Sequence, residues 1–336
     1  MRRSSRHSLL FVSVFWLLAP TVASGVPSIA APVVSATDTP TNTSVSVGAS
    51  TETSQLLRRV AFIGASATAG FGVVAVDPDG KKPLVPMPLS AAFAGSITSP
   101  TETLDFGSPL FFLSPATSGT TQVDRSIAQA PTLVIAVDFL FWFGYGADDG
   151  RGGPLRSEAD RLEKLDIGLE QLERFPASTP IVIGDFPDMS RAVGKMISAS
   201  QMPKLETLEK LNAKLTAWAA SRPNVIQFSL SALVEKLKSG ATLTIAGMEF
   251  KQGGGRLIQS DQLHPTFRGA IALSLQVVDA IKQRFGAAMS IGVAPDESSA
   301  RLRARERAEE TLARRSKIGV ASSPEKSQPV QPPAAR

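Results

Sequence analysis

The chain predicts a three-layer α/β/α domain on a mostly parallel sheet of about five strands. Three observations lead there. Five short runs rich in Val, Ile, Leu or Phe recur through its middle, each suited to a strand buried on both faces. Helix-like stretches separate them, so successive strands need crossover connections and lie parallel. Residues able to do chemistry fall on or just past strand ends, where such sheets open their ligand crevice.

The strands are expected at residues 59–64, 110–113, 133–138, 181–184 and 225–228. Helices are expected over 89–97, 123–130, 156–175, 205–221 and 266–285. In the fourth, Leu208, Leu211, Leu215 and Trp218 recur at three- and four-residue steps and form one apolar stripe. Ile271, Leu275, Val278 and Ile281 do the same in the last.

Residues 1–24 read as a secretory signal peptide. Arg2, Arg3 and Arg6 precede an apolar run from Leu9 to Leu18 and a small-residue stretch ending in Ala23-Ser24. The run is short for a membrane span, which needs roughly 20 residues, although an uncleaved anchor stays open. A secreted or periplasmic location follows. Residues 25–54 form a Ser/Thr/Pro-rich linker, 55–286 the folded domain, and 287–336 a charged solvated helix followed by a Pro-rich tail.

Without Arg2, Arg3 and Arg6 the chain keeps 32 basic residues against 30 acidic ones. That near-balance, with no basic face interleaved with aromatics, argues against a nucleic-acid partner. There is no cysteine, hence no disulfide, thiol nucleophile or thiolate metal site. A domain of roughly 230 residues is large enough to rest on its own core.

Only two histidines are present, and His7 lies within the signal segment. Histidine chemistry in the mature chain therefore runs through His264, in Ser260-Asp261-Gln262-Leu263-His264-Pro265. Imidazole is the usual general base near neutral pH, and Asp261 is placed to fix its tautomer. The matching nucleophile is Ser66, at the tip of a small-residue turn in Gly64-Ala65-Ser66-Ala67-Thr68-Ala69-Gly70-Phe71-Gly72. A helix starting there would add its positive end to the site, with Gly64 allowing the tight turn. Pro265 is expected at the first position of the last helix. The alternative is that Ser66 only caps a helix and that the histidine is incidental.

These blocks resemble the SGNH (GDSL-type) hydrolase family over residues 59–286. Residues 64–72 resemble its nucleophile block, and Asp261-Gln262-Leu263-His264-Pro265 its closing Asp-x-x-His-Pro block. Gly119 falls where the family places an oxyanion-hole glycine after the second strand. Asp138 falls near the family's Gly-x-Asn-Asp. The resemblance implies a flavodoxin-like sheet, catalytic Ser66, His264 and Asp261, and an oxyanion hole from Ser66, Gly119 and Asp138. It departs at Ala65, where the family has aspartate, and at Asp138, which stands at the asparagine or one place beyond it. An ionised aspartate cannot donate to an oxyanion.

The expected function is an exported carboxylic ester hydrolase acting on a carbohydrate O-acetyl, short-chain acyl or lysolipid ester. The alternative is a catalytically reduced carbohydrate- or lipid-binding module. No cofactor or metal is expected. Asp148, Asp149, Asp185 and Asp188 read as turn formers, and Gly253-Gly254-Gly255 as a turning loop. The aromatic run Phe139 to Tyr145 lines either a pocket or the core.

Overall fold

Two strands interior to the sheet, Leu-Val-Ile-Ala and Ile-Val-Ile-Gly, are buried at every position. This is what helices on both faces of a parallel sheet demand. The computed structural model describes residues 45–75, 84–286 and 289–321. These belong to one compact unit, Thr43–Arg336. The signal segment, most of the expected linker and the tail from Ser322 lie outside the described residues.

The elements run α1 (Val45–Leu56), β1 (Arg59–Phe62), β2 (Val74–Ala75), β3 (Val85–Pro86), α2 (Leu89–Ser96), β4 (Glu102–Asp105), α3 (Pro115–Ile127), β5 (Leu133–Ala136) and the single turn α4 (Phe141–Gly144). They continue with α5 (Asp160–Glu173), β6 (Ile181–Gly184), α6 (Leu205–Ala220), β7 (Val225–Phe228), α7 (Leu230–Ser239), β8 (Leu243–Ile245), β9 (Met248–Phe250), α8 (Phe267–Phe285) and α9 (Glu297–Ala321). The central sheet has the order β4-β1-β5-β6-β7, all parallel. This is the flavodoxin-like order, and its switch point lies between β1 and β5. Two apolar layers follow from strand alternation. Val60, Phe62 and Ile135 face α2, α8 and α9, while Ala61, Ile63 and Val134 face α3, α5 and α6.

The second strand is not the expected one. Residues 110–113 form a 3-10 turn, Phe111–Leu113, and the strand is Glu102–Asp105. Proline flanks the apolar run at Pro109 and Pro115, and Pro115 opens α3. The true strand is a half-exposed sheet edge, so it carries no apolar run to betray it. The last helix also starts later than expected. Pro265 precedes its cap, Thr266, whose side chain accepts the Gly269 N–H at 3.2 Å.

The C-terminal helix corrects the expected boundary at residue 286. Ala300, Ala304 and Ala308, spaced four apart, are buried on α2. The contact is backbone-close: a Cβ on Gly95 would lie 2.4 Å from the Ala304 nitrogen. Arg303 donates to the Ile97 carbonyl at 2.8 Å, and Glu297 takes two bonds from Arg268 at 2.6 and 2.7 Å. At the other end, α1 replaces the last part of the expected linker; Leu57 joins the core and Leu56 packs against it.

Ending the chain at residue 295 therefore removes three buried alanines and leaves Arg268 without its carboxylate. The melting temperature should fall by about 5 °C or more. Ending it at residue 313 should leave the transition near wild type, with both variants read by thermal denaturation.

Candidate active site

Ser66 sits just beyond β1, at the switch point of the sheet. The turn carrying it is short: Ala69 N–H donates to the Ala65 carbonyl at 2.9 Å and Phe71 N–H to the Ser66 carbonyl at 2.9 Å. The described residues that follow Ser66 form a turn and not a helix, so the expected helix end behind Ser66 is not found among them. Gly64 turns the chain with φ 153°. A Cβ there would lie 2.1 Å from the Asp138 carboxylate, so only glycine fits.

The opposite wall is the loop before α8. It is closed by Gln259 N–H on the His264 carbonyl at 2.8 Å and Thr266 N–H on the Leu257 carbonyl at 2.9 Å. Asp261 Oδ1 accepts the N–H groups of Leu263 and His264 at 2.9 and 3.0 Å. Its other oxygen lies 2.7 Å from His264 Nδ1. His264 Nε2 lies 2.8 Å from Ser66 Oγ, across 198 residues of sequence. The imidazole is buried, with the Phe71 ring 4.8 Å away. Gln262, at φ 64°, occupies the left-handed region within this turn. Burial alone would raise the Asp261 carboxyl; the Leu263 and His264 N–H groups and the imidazole hold it below the usual carboxylate range.

The structure brings Asp138 to Ser66 but in the opposite role to an oxyanion donor. Its carboxylate accepts Ala65 N–H at 3.0 Å and the Thr68 hydroxyl at 2.5 Å on one oxygen. The other oxygen accepts Ala67 and Thr68 N–H at 2.9 and 3.2 Å. Burial pushes this carboxyl above its usual range, against the pull of Thr68, Ala65 and Ala67. Every backbone N–H from Ala65 to Thr68 is taken except that of Ser66, which meets no acceptor among the described residues.

Gly119 is not at the site. It lies inside α3, where a Cβ would lie 2.1 Å from Gln171 Oε1 and 3.1 Å from the Phe139 ring. It permits close packing of α3. The expectation failed with the strand assignment, which placed the sheet's second strand one segment too late. The sequence also gave no sign of Gln122. Its amide pairs with both the N–H and the carbonyl of Gly64, at 2.7 and 2.9 Å.

Other singled-out residues have structural partners. Asp148 binds Lys164 Nζ at 2.8 Å, Asp149 accepts turn N–H groups, and Asp188 accepts the Ser190 N–H at 2.8 Å. Asp185 accepts the Ser231 N–H, at the start of α7. The Gly255 carbonyl accepts from Arg268 at 2.6 Å. Of the aromatic run, Phe139 and Phe143 enter the core, while Phe141 and Trp142 line the cavity beside Ser66.

That cavity measures about 60 Å³. Its polar lining groups are Ser66, His264 and Asp138; the rest is apolar, with Leu230, Leu233, Val234 and Leu237 from one stripe of α7. The 230, 233, 234, 237 spacing was a readable helix signal.

No family model matches the chain, and no curated protein matches its sequence. Among solved structures it is similar to a member of the lipolytic G-D-S-L family from Veillonella parvula. The two share 16% identity and a TM-score of 0.40, over 66% of this chain and 97% of that one. It is also similar to a lipase from a goat rumen metagenome, at 10% identity and TM-score 0.39, over 69% and 99%. A gut microbial diltiazem-metabolizing enzyme matches at 14% identity and TM-score 0.41, over 66% of this chain but only 46% of that protein. On its own topology, with Ser66 after the first strand and the Asp261 loop before α8, the chain has an SGNH-hydrolase-like fold.

Asp138→Asn should not repair an oxyanion hole. Whichever way the amide lies, its NH₂ faces at least one backbone N–H now bound by an oxygen. A loss of about 1–3 kcal/mol is expected in denaturant unfolding, with no gain in ester turnover.

Proposed function

We propose that this protein is a serine ester hydrolase, with Ser66 as nucleophile, His264 as general base and acid, and Asp261 as its orienting carboxylate. The observation that carries this reading is the continuous Ser66–His264–Asp261 contact chain, at 2.8 and 2.7 Å, on the rim of an apolar cavity. Ser66 Oγ attacks the ester carbonyl as its proton passes to His264 Nε2. The tetrahedral oxyanion takes the unengaged Ser66 N–H. Collapse releases the alcohol, protonated by His264, and a water activated by the same imidazole then frees the acid.

One backbone donor makes a sparse oxyanion hole. Loss of a donor costs about 2.7–4 kcal/mol in studied enzymes, so modest turnover is expected. The apolar lining favours an acyl chain over a bare acetyl group, hence a short-chain acyl ester or a lysolipid among the candidate substrates. We further propose export, from the basic and apolar start of the chain.

Hydrolysis of p-nitrophenyl butyrate should fall to background in Ser66→Ala. Asp261→Asn should lower kcat by about 10³–10⁴-fold through loss of the correct imidazole tautomer. Because the Asp261 pKa is lowered, its contribution to stability is present above the ordinary carboxylate value and lost as pH falls through its own lower one. Asp261 should therefore add no limb to the pH–rate profile near neutrality. Wild-type turnover equal to Ser66→Ala would overturn this function in favour of a binding module on the same scaffold.

A further inference from the structure

We propose that the mouth of this site is a docking surface for a neutral lipid–water interface. Two flanks make up this surface. On one, the 3-10 turn after β4 buries Phe111 as an anchor and holds Leu110, Phe112 and Leu113 outward, with Leu113 67% exposed. The Phe112 ring lies 5.6 Å from Trp142, which lines the cavity. On the other, Phe71 is exposed beside His264, and the β2–β3 pair continues from it with exposed Val74 and Leu84.

Isolated exposed apolar side chains need no explanation, but a group rimming a ligand pocket does. These six make up more than half of the large exposed hydrophobics among the described residues. The charge pattern selects the partner. Residues 60–75, 84–101 and 106–123 contain no Asp, Glu, Lys or Arg. Covering these two flanks desolvates no charged side chain of their own, which favours an uncharged surface. The turn projects rather than forming a groove, which suits a deformable surface. The two flanks meet the cavity wall through the Phe112–Trp142 and Phe71–His264 contacts. The choice of a lipid rests on the acyl-ester reading; the existence of a docking surface does not.

The test uses the chain starting at Gly25, which keeps the compact unit Thr43–Arg336 and omits the apolar leader. It carries Ser66→Ala so that nothing is hydrolysed. Co-sedimentation with phosphatidylcholine vesicles should occur and change little between low and high salt. Adding Leu113→Asp should weaken partitioning about tenfold or more. Leu302→Asp, at a comparably exposed position on α9, should leave it unchanged. The proposal is overturned by no binding, by equal loss in both variants, or by binding that needs phosphatidylserine and disappears in salt. It is also overturned by a dimer in light scattering that Leu113→Asp dissociates while vesicles are ignored, which would make a second copy the occupant. Turnover of p-nitrophenyl butyrate by the otherwise wild-type chain reports separately on the hydrolase reading. Vesicle binding without turnover sinks that reading and leaves the docking surface standing.

Discussion

The site depends on one buried carboxylate. Asp138, just past β5, collects the N–H groups of Ala65, Ala67 and Thr68 from the turn past β1. The two segments flank the switch point, where neighbouring connections diverge and leave a crevice. A carboxylate there does for this turn what a capping side chain does at a helix N-terminus, satisfying several backbone donors from one acceptor. It also accounts for the composition of the turn. Gly64 is required because the carboxylate occupies the space a Cβ would fill, and Thr68 adds a hydroxyl to the same oxygen.

The arrangement constrains chemistry as well as stability. A carboxylate beside a nucleophilic serine opposes charge build-up on a tetrahedral intermediate, unless its own charge is neutralised or already committed to donors. Burial favours the neutral form here, and four donors engage the charged one. Either way the carboxylate's charge is tied up, and between Ala65 and Thr68 the Ser66 N–H alone meets no acceptor among the described residues. Behind it, Gln122 clamps Gly64 from α3, so the strand end is fixed from both sides. In the proposed mechanism the oxyanion hole that Ser66 offers is therefore a sparse one.

Much of this was legible in the sequence because it rests on local patterns. Four of the five central strands, the helices α2, α5, α6 and α8, and the candidates Ser66, Asp261 and His264 follow from apolar runs and a single usable histidine. What escaped was non-local or masked by charge. The edge strand Glu102–Asp105 lacks an apolar signal since its side chains are half-exposed. The α9 alanines repeat every four residues but are embedded in Arg and Glu, which cover the stripe from outside and read as a solvated helix. Gln122 and the acceptor role of Asp138 are tertiary facts: neither residue announces which backbone groups it will meet.

The misplaced strand has a physical lesson of its own. Residues 110–113 are as apolar as any strand in the chain, yet only Phe111 is buried. An apolar run bounded by prolines was expected to pair and instead projects three side chains into solvent beside the Trp142 wall. Folding gains nothing from exposing them, and a polar turn would connect β4 to α3 equally well. The same stretch that defeats strand prediction is thus the place where the sequence departs from what the fold alone requires. Such departures are expected where function sets the residue. In the proposed function, the rim of the cavity therefore stands beside the Ser66–His264 contact as a place where use rather than folding sets the residues.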